Sequence, residues 1–257
     1  MKLKMYLLLL FCSFIGLNVV NADTVTQRIN ERKKIIIGLS PEFKPFEYRD
    51  ANGKIIGFDI DIIKKLAEAL EVEYEIKVYK FDELIPALEK GNIDIIISGM
   101  SRTLSRARKV NFTDPYFKTS QVVLVSSKKS FSNYNDLNKK GFKVGVVKET
   151  TNEKTARKVF TDATIITYPG ETEATLDLLK NKIDGFVCDR PFAEFFIKKN
   201  PGTEILLGEF GKEEYCFAVK KGNFDFLYWL NYFISEMKST GVFSDLYNYW
   251  FINQSQK

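Results

Sequence analysis

Apolar positions along the chain fall into three patterns, and their order predicts the elements. Short, mostly apolar runs, Ile35–Leu39 and Ile93–Ile97, interrupted only by Gly38 and Asp94, fit strands buried on both faces. Between them Ile62, Ile63, Leu66, Ala67 and Leu70 recur at three and four residues behind Asp59, which predicts a helix capped by that aspartate. Tyr74, Ile76 and Val78 alternate with charged residues as in a strand, and DELIPALEKG reads as a helix starting at Asp82, with Pro86 near its first turn and Gly91 at its end. Strand, helix, strand, helix, strand is a parallel α/β unit. After the strand TSQVVLVSS the plan repeats from about Lys143: KVGVV is a strand leading through a loop into a helix, ATIITYP is a strand, and TEATLDLLKNK is a helix before the strand Ile183–Cys188. A strand with Tyr215, Phe217 and Val219 alternating follows, then an aromatic tail, Phe224 to Trp250, with helical spacing. Residues 23–32 are polar and read as a loose leader, and Asp50-Ala51-Asn52-Gly53 as a hairpin turn. Two units of similar plan imply two lobes.

The stretch Asn92 to Tyr116 carries the first candidate chemistry. Its strand ends in Ser98-Gly99-Met100-Ser101, two hydroxyls and a glycine at a carboxyl edge, where ligands of open α/β sheets bind. Five residues on stands Arg106, whose planar fork of donors matches a carboxylate. Locally, Arg106, Arg108 and Lys109 also fit a solvated helix face, and the serines fit turn caps. The loop from Ser40 to Tyr48 carries Pro41, Phe43, Pro45, Phe46 and Tyr48, enough aromatics to form a wall. Phe46 reads as a core plug beneath it, and Phe43 as either plug or wall. Phe81 falls at a strand-to-helix corner on the same side of the sheet as Phe43 and Ser98.

Composition and targeting narrow the function classes. Lys2 and Lys4, an apolar run from Met5 to Val20 and the small residues before Asp23 describe a secretory signal peptide cut near Ala22. Cys12 raises a lipid anchor, but Phe11 before it is bulky where small residues are expected. Without residues 1–22 the chain keeps 36 basic against 33 acidic residues, net +3, so nothing calls for a nucleic-acid partner. Histidine is absent and only Cys188 and Cys216 remain, which excludes imidazole triads, argues against a zinc site and leaves one disulfide possible but not deducible. No metal and no cofactor is expected.

Five segments in order, FKPFEYRDANGKIIGFDIDI, FDELIPALEKGNIDIIISGMSRTLSRARKVNFTDPYF, VGVVKETTNEKTAR, KIDGFVCDRP and STGVFSDLYNYWF, together resemble the extracellular (periplasmic) solute-binding proteins of family 3, which serve polar amino-acid ABC importers. The resemblance implies a type II periplasmic-binding-protein fold, two α/β lobes joined by two hinge strands with the ligand cleft between them. Lobe one would take residues 33–118 and 214–257, and lobe two 119–213, with crossings near Phe117–Val122 and Gly211–Phe217. By the same resemblance Arg106 would hold the α-carboxylate of a free L-amino acid, helped by Ser98 or the Gly99 backbone, by Ser101, and from lobe two by Thr150 and Thr151. Asp189 would hold the α-ammonium, Phe43 and Phe81 would sandwich the side chain, and Val147 and Cys188 would neighbour it. The partner would be the importer's membrane permease, the location the periplasm, and the working form a monomer. Two departures stand out. Glu149 occupies a position usually held by glycine, and Ser40 one where relatives binding basic or polar amino acids often carry aspartate, which argues against arginine or lysine unless Glu42 or Glu149 substitutes. Rival readings are a cyclohexadienyl-dehydratase-like enzyme with Glu149 or Glu171 as general acid, and a soluble sensor for a partner receptor.

Overall fold

A computed structural model describes residues 24–253; the signal-peptide reading lies outside these described residues. Two large sheets form, and both follow one plan. In lobe one the strands lie in the order Glu73–Val78, Lys34–Leu39, Ile95–Ile96, Ala218–Lys220, Val110–Phe112. In lobe two the order is Thr164–Tyr168, Lys143–Val147, Gly185–Asp189, Phe117–Ser126, Thr203–Ile205. The first three strands of each are parallel, and the fourth runs antiparallel to both its neighbours. In lobe two that fourth strand is itself a crossing between the lobes; in lobe one it follows directly on the other crossing strand, Phe210–Tyr215. The start of Phe117–Ser126 pairs antiparallel with Phe210–Tyr215, Phe117 opposite Tyr215 and Gln121 opposite Phe210, so the chain leaves and returns along one two-stranded ribbon. The type II two-lobed class implied by the sequence is therefore the class the chain adopts.

Lobe one is held by an aromatic core. The Phe46 ring, fully buried, meets Phe117, Tyr215, Phe251 and Phe58 edge-on at centroid distances of 4.9 to 5.9 Å. Phe46 is a core plug, as its place in the loop suggested. Lobe two has two smaller clusters, one on each face of its sheet, around Phe186 and Phe192 and around Phe160 and Leu206.

Four local expectations are corrected, and the helical tail is found in three pieces. Residues Val25–Arg32 form a helix rather than a loose leader: Thr24 and Gln27 close a capping box, and Val25 and Ile29 are buried in the lobe-one core. Two apolar positions in a polar run are too few to register as periodicity. The strand at Ile93–Ile97 shortens to Ile95–Ile96, since the Asp94 side chain takes the Ile36 N–H at 2.7 Å in place of a ladder bond. Asp59 does not cap the helix Phe58–Ala69; Gly57 holds the cap position, and the Asp59 side chain points into the core. The expected strand across 215–219 breaks at Cys216-Phe217, where Cys216 N–H goes to the Met100 carbonyl and Phe217 N–H to the Thr113 hydroxyl, each at 3.0 Å. Tyr215 therefore ends the crossing strand and Ala218 begins a lobe-one strand. The tail is two helices, Phe224–Ser239 and Val242–Tyr247, broken at Gly241 with φ +84°, and then a π-helical turn, Asn248–Asn253.

Candidate functional site

A cavity opens between the lobes beside the crossing ribbon. Of the residues singled out in the sequence, Phe43, Phe81, Ser98, Gly99, Ser101 and Arg106 reach its wall from lobe one, and Val147, Thr150, Thr151 and Asp189 from lobe two. Cys188 does not; it is buried in a lobe-two core cluster with Val122, Leu124 and Phe186, because consecutive strand residues face opposite sides and Asp189 takes the cavity side. Cys188 and Cys216 are both free and buried.

Arg106 lies on the short helix Leu104–Ala107, whose cap Thr103 accepts the Arg106 N–H. Its guanidinium donates from Nη1 to the Ser101 carbonyl at 2.8 Å and from Nη2 to the Glu149 carbonyl of lobe two at 3.0 Å, and lies 5.1 Å from the centre of the Phe81 ring. Only 8% exposed, it is pulled down to about 10 by burial, against Glu213, Asp189 and Glu149, which push it up. It is a buried side chain on the cavity wall, not part of a solvated helix face.

Asp189 stands opposite, at the end of Gly185–Asp189 and at the cap position of the helix Arg190–Lys199. It makes no capping bond, and Arg190 pairs instead with Glu194 and Glu209, so neither local role explains it. The Tyr215 hydroxyl donates to Oδ2, while Oδ1 is buried and has no partner. Burial and the nearby Glu213 raise its carboxyl to about 7, against the pull of Tyr215, Asn152 and Arg106. An unpaired buried carboxylate oxygen is costly, and a ligand ammonium would satisfy it.

Several expected donors are already engaged. The Gly99 N–H donates to Asp59 at 3.0 Å and the Ser98 hydroxyl to Glu47 at 2.7 Å while accepting the Ser40 N–H, so neither is free for a carboxylate. Glycine is required at 99, where φ is +50° and a Cβ would come within 2.7 Å of the Phe43 ring. Phe43 is both plug and wall, stacked on Phe46 at 5.0 Å and on Phe192 of lobe two at 6.1 Å. Thr150 caps the helix Thr151–Val159 through Glu153 N–H and donates to the Val147 carbonyl at 2.6 Å, which leaves to an anion the N-terminal N–H groups of that helix. Glu149 adopts the glycine-like conformation, φ +60°, with its side chain exposed and outside the wall.

Sequence reasoning missed Glu47, Asn152 and Glu213. Glu213 is buried on the crossing strand and accepts from Gln121 at 2.6 Å; the alternation of buried Glu213 and Tyr215 about the surface-paired Glu214 was the available signal. Among the described residues no group of acidic or cysteine side chains is arranged to hold a metal ion, and no helix is long and apolar enough to cross a membrane.

Comparison with known proteins agrees with this architecture. Residues 35–253 match the family model of the bacterial extracellular solute-binding proteins, family 3. The ABC transporter arginine-binding protein 1 of Escherichia coli is 31% identical over 85% of this chain and 91% of its own. A probable histidine-binding protein of Campylobacter jejuni is 34% identical over 95% and 97%. Among solved structures, an ancestral amino acid-binding protein, AncCDT-1, a precursor of cyclohexadienyl dehydratase, superposes with a TM-score of 0.85 at 35% identity, covering 89% of this chain and all of that one. Two lobes on one strand plan, a paired crossing and a cavity between them, with a family match over nearly the whole described chain, mean that this chain belongs to the bacterial extracellular solute-binding proteins, family 3.

Proposed function

We propose that the chain is the substrate-binding component of an ABC importer for a free L-amino acid, and that it captures its ligand by hinge closure. The observation that carries the reading is the opposition across one cavity of the Arg106 guanidinium and the unpartnered Oδ1 of Asp189, a complement to the two charges of a zwitterion. The α-carboxylate sits on Arg106 and the N-terminus of the helix Thr151–Val159, the α-ammonium on Asp189, and the side chain between Phe43 and Phe81. Residues 33–118 with 214–257 form one moving body and 119–213 the other, turning about the crossing ribbon. Because the ligand touches both, it binds the closed state more tightly and shifts the population toward it. Charged hydrogen bonds of about 1.5 to 3 kcal/mol each support micromolar affinity, about −8 kcal/mol, after ordering costs.

The membrane permease of the importer receives the closed form. The chain is exported to the periplasm after cleavage near Ala22 and acts as a monomer; sequencing of the exported protein should begin at Asp23. We assign it no catalytic role. The wall holds Glu47, Asp189 and Glu171 against one base, Arg106, an environment that opposes the extra carboxylate of a dehydratase substrate such as prephenate or arogenate. Isothermal titration of the purified protein with the twenty amino acids tests the reading: micromolar binding of at least one, with no turnover of prephenate or arogenate, is expected. Turnover of either acid, or no amino-acid binding at all, would refute it.

A further inference from the structure

Glu213 has no part in the zwitterion scheme, yet it is buried at the hinge. It lies on the crossing strand Phe210–Tyr215, is only 4% exposed and does not line the cavity. Holding the ribbon together does not account for it. Its neighbour Glu214 serves the ribbon from the surface, paired with Arg102 and with Lys118, its cross-strand partner, and burying a carboxylate is costly unless other groups answer it. Glu213 is answered from three sides. The Gln121 amide of the other crossing strand donates to its Oε1 at 2.6 Å. The Ser101 hydroxyl of lobe one and the Thr151 hydroxyl of lobe two both draw on the same carboxylate, as does the Arg106 charge, against the burial that raises it. Its Oε2 is buried and has no hydrogen bond of its own, so that oxygen is the one open to the hydroxyls.

The two hydroxyls belong to the two halves of the carboxylate site. Ser101 braces Arg106 through its carbonyl, and its loop is sewn to the crossing strand beside Glu213: Ser101 bridges to Tyr215, the Arg102 N–H goes to the Glu214 carbonyl at 3.1 Å and the Cys216 N–H to the Met100 carbonyl at 3.0 Å. Thr151 lines the cavity as the first residue of the helix Thr151–Val159, whose N-terminal N–H groups suit an anion. The cap of that helix is made by Thr150, which leaves the Thr151 hydroxyl to Glu213. We propose that Glu213 is a positioning residue that clasps the closed state: its carboxylate gathers Ser101 and Thr151, one from each lobe, and so sets the guanidinium and the helix N-terminus in register around a ligand carboxylate that it does not itself touch. This deepens the amino-acid reading above and rests on it. With one hydroxyl on each lobe, both reach the carboxylate only while the lobes are together. The clasp therefore forms after docking and acts on release rather than on capture.

Calorimetry of the full exported chain with each of the twenty amino acids selects the tightest, which then serves as the probe in stopped-flow fluorescence. Glu213→Gln keeps the volume, removes the charge and sets an amide donor against Gln121 and the two hydroxyls. It should release the probe about 10- to 100-fold faster, the strength of one charge-assisted hydrogen bond, with the association rate little changed. Thr151→Val removes the lobe-two hydroxyl and keeps the backbone N–H; it should also speed release, and the double variant should release no faster than Glu213→Gln alone, because both changes break one contact. Release at the wild-type rate in Glu213→Gln, or additive effects in the double variant, would overturn the clasp and leave the amino-acid reading standing. Binding of none of the twenty would overturn both. Should Glu213→Gln fail to fold, Thr151→Val decides alone: faster release supports the clasp and wild-type release overturns it.

Discussion

Lobe one and lobe two share a strand order, yet they hold the groups facing the cavity by different means. In lobe one the wall is tied down from within: Asp59 takes the Gly99 N–H and the Tyr116 hydroxyl, Glu47 takes the Ser98 hydroxyl, and the Ser101 carbonyl holds Arg106. In lobe two the central acid leans on the crossing ribbon, because the donor to Asp189 is Tyr215, whose other neighbours are the aromatic rings of the lobe-one core. From this difference we propose an order of events: lobe one is a preformed receptor for the ligand carboxylate, its Arg106 braced by the Ser101 carbonyl and across the cleft by the Glu149 carbonyl, and lobe two, whose Asp189 leans on the hinge, is recruited afterwards.

The comparison breaks most severely at Arg106. Replacing it with alanine should leave the circular dichroism spectrum unchanged and weaken ligand binding by at least about a thousandfold, since a buried charge partner is lost and a carboxylate is left without its fork; calorimetry checks it, and retained affinity would end the preformed-receptor account.

A pH series probes the other lobe. Burial and the surrounding acids raise Glu171 to about 8, facing Glu42 and Glu47 from lobe one and Asp189 and Glu173 from lobe two, and raise Asp189 to about 7. These carboxyls bind protons more tightly folded than unfolded, so their contribution is fully present at pH about 4 and is lost as pH rises toward 8. The melting temperature of the ligand-free protein should accordingly fall between pH 5 and pH 8, and the Glu171→Gln variant should show a flatter curve. A rise over that interval in the wild type would contradict the burial of these acids.

Tyr215→Phe sharpens the hinge half of the contrast. It removes the donor to Asp189 and should weaken binding by about 1.5 to 3 kcal/mol, with faster ligand release in stopped-flow fluorescence and little change in the association rate.

The smallest expected effect lies at the mouth of the cleft, where Lys148 of lobe two meets Asp82 of lobe one at 3.0 Å. Asp82→Asn should weaken binding by only about two- to threefold, and the loss should vanish at high salt, as exposed ion pairs are screened.

How much of this was legible in the chain depends on the range of the interaction that decided it. The alternating α/β plan, the Phe46 plug and the candidacy of Arg106 follow from local spacing and side-chain chemistry, because buried strands and amphipathic helices impose short periods; Asp189 was marked only by the resemblance to family 3. The Val25–Arg32 helix escaped since its apolar face is only two residues, Val25 and Ile29, that find their core in the packed lobe. That the Gly99 N–H answers Asp59, forty residues away, and that Tyr215 reaches Asp189 across the hinge, are pairings between distant segments with no local trace. The same holds for Glu47 and Glu171: each alone is one acid among 33, and only closure of two lobes makes them neighbours. Sequence by itself determined which elements form and which residues have the chemistry to bind; tertiary structure alone decided which donors are engaged and which charges are left facing one another, because burial and electrostatic coupling depend on distances that only the folded chain sets.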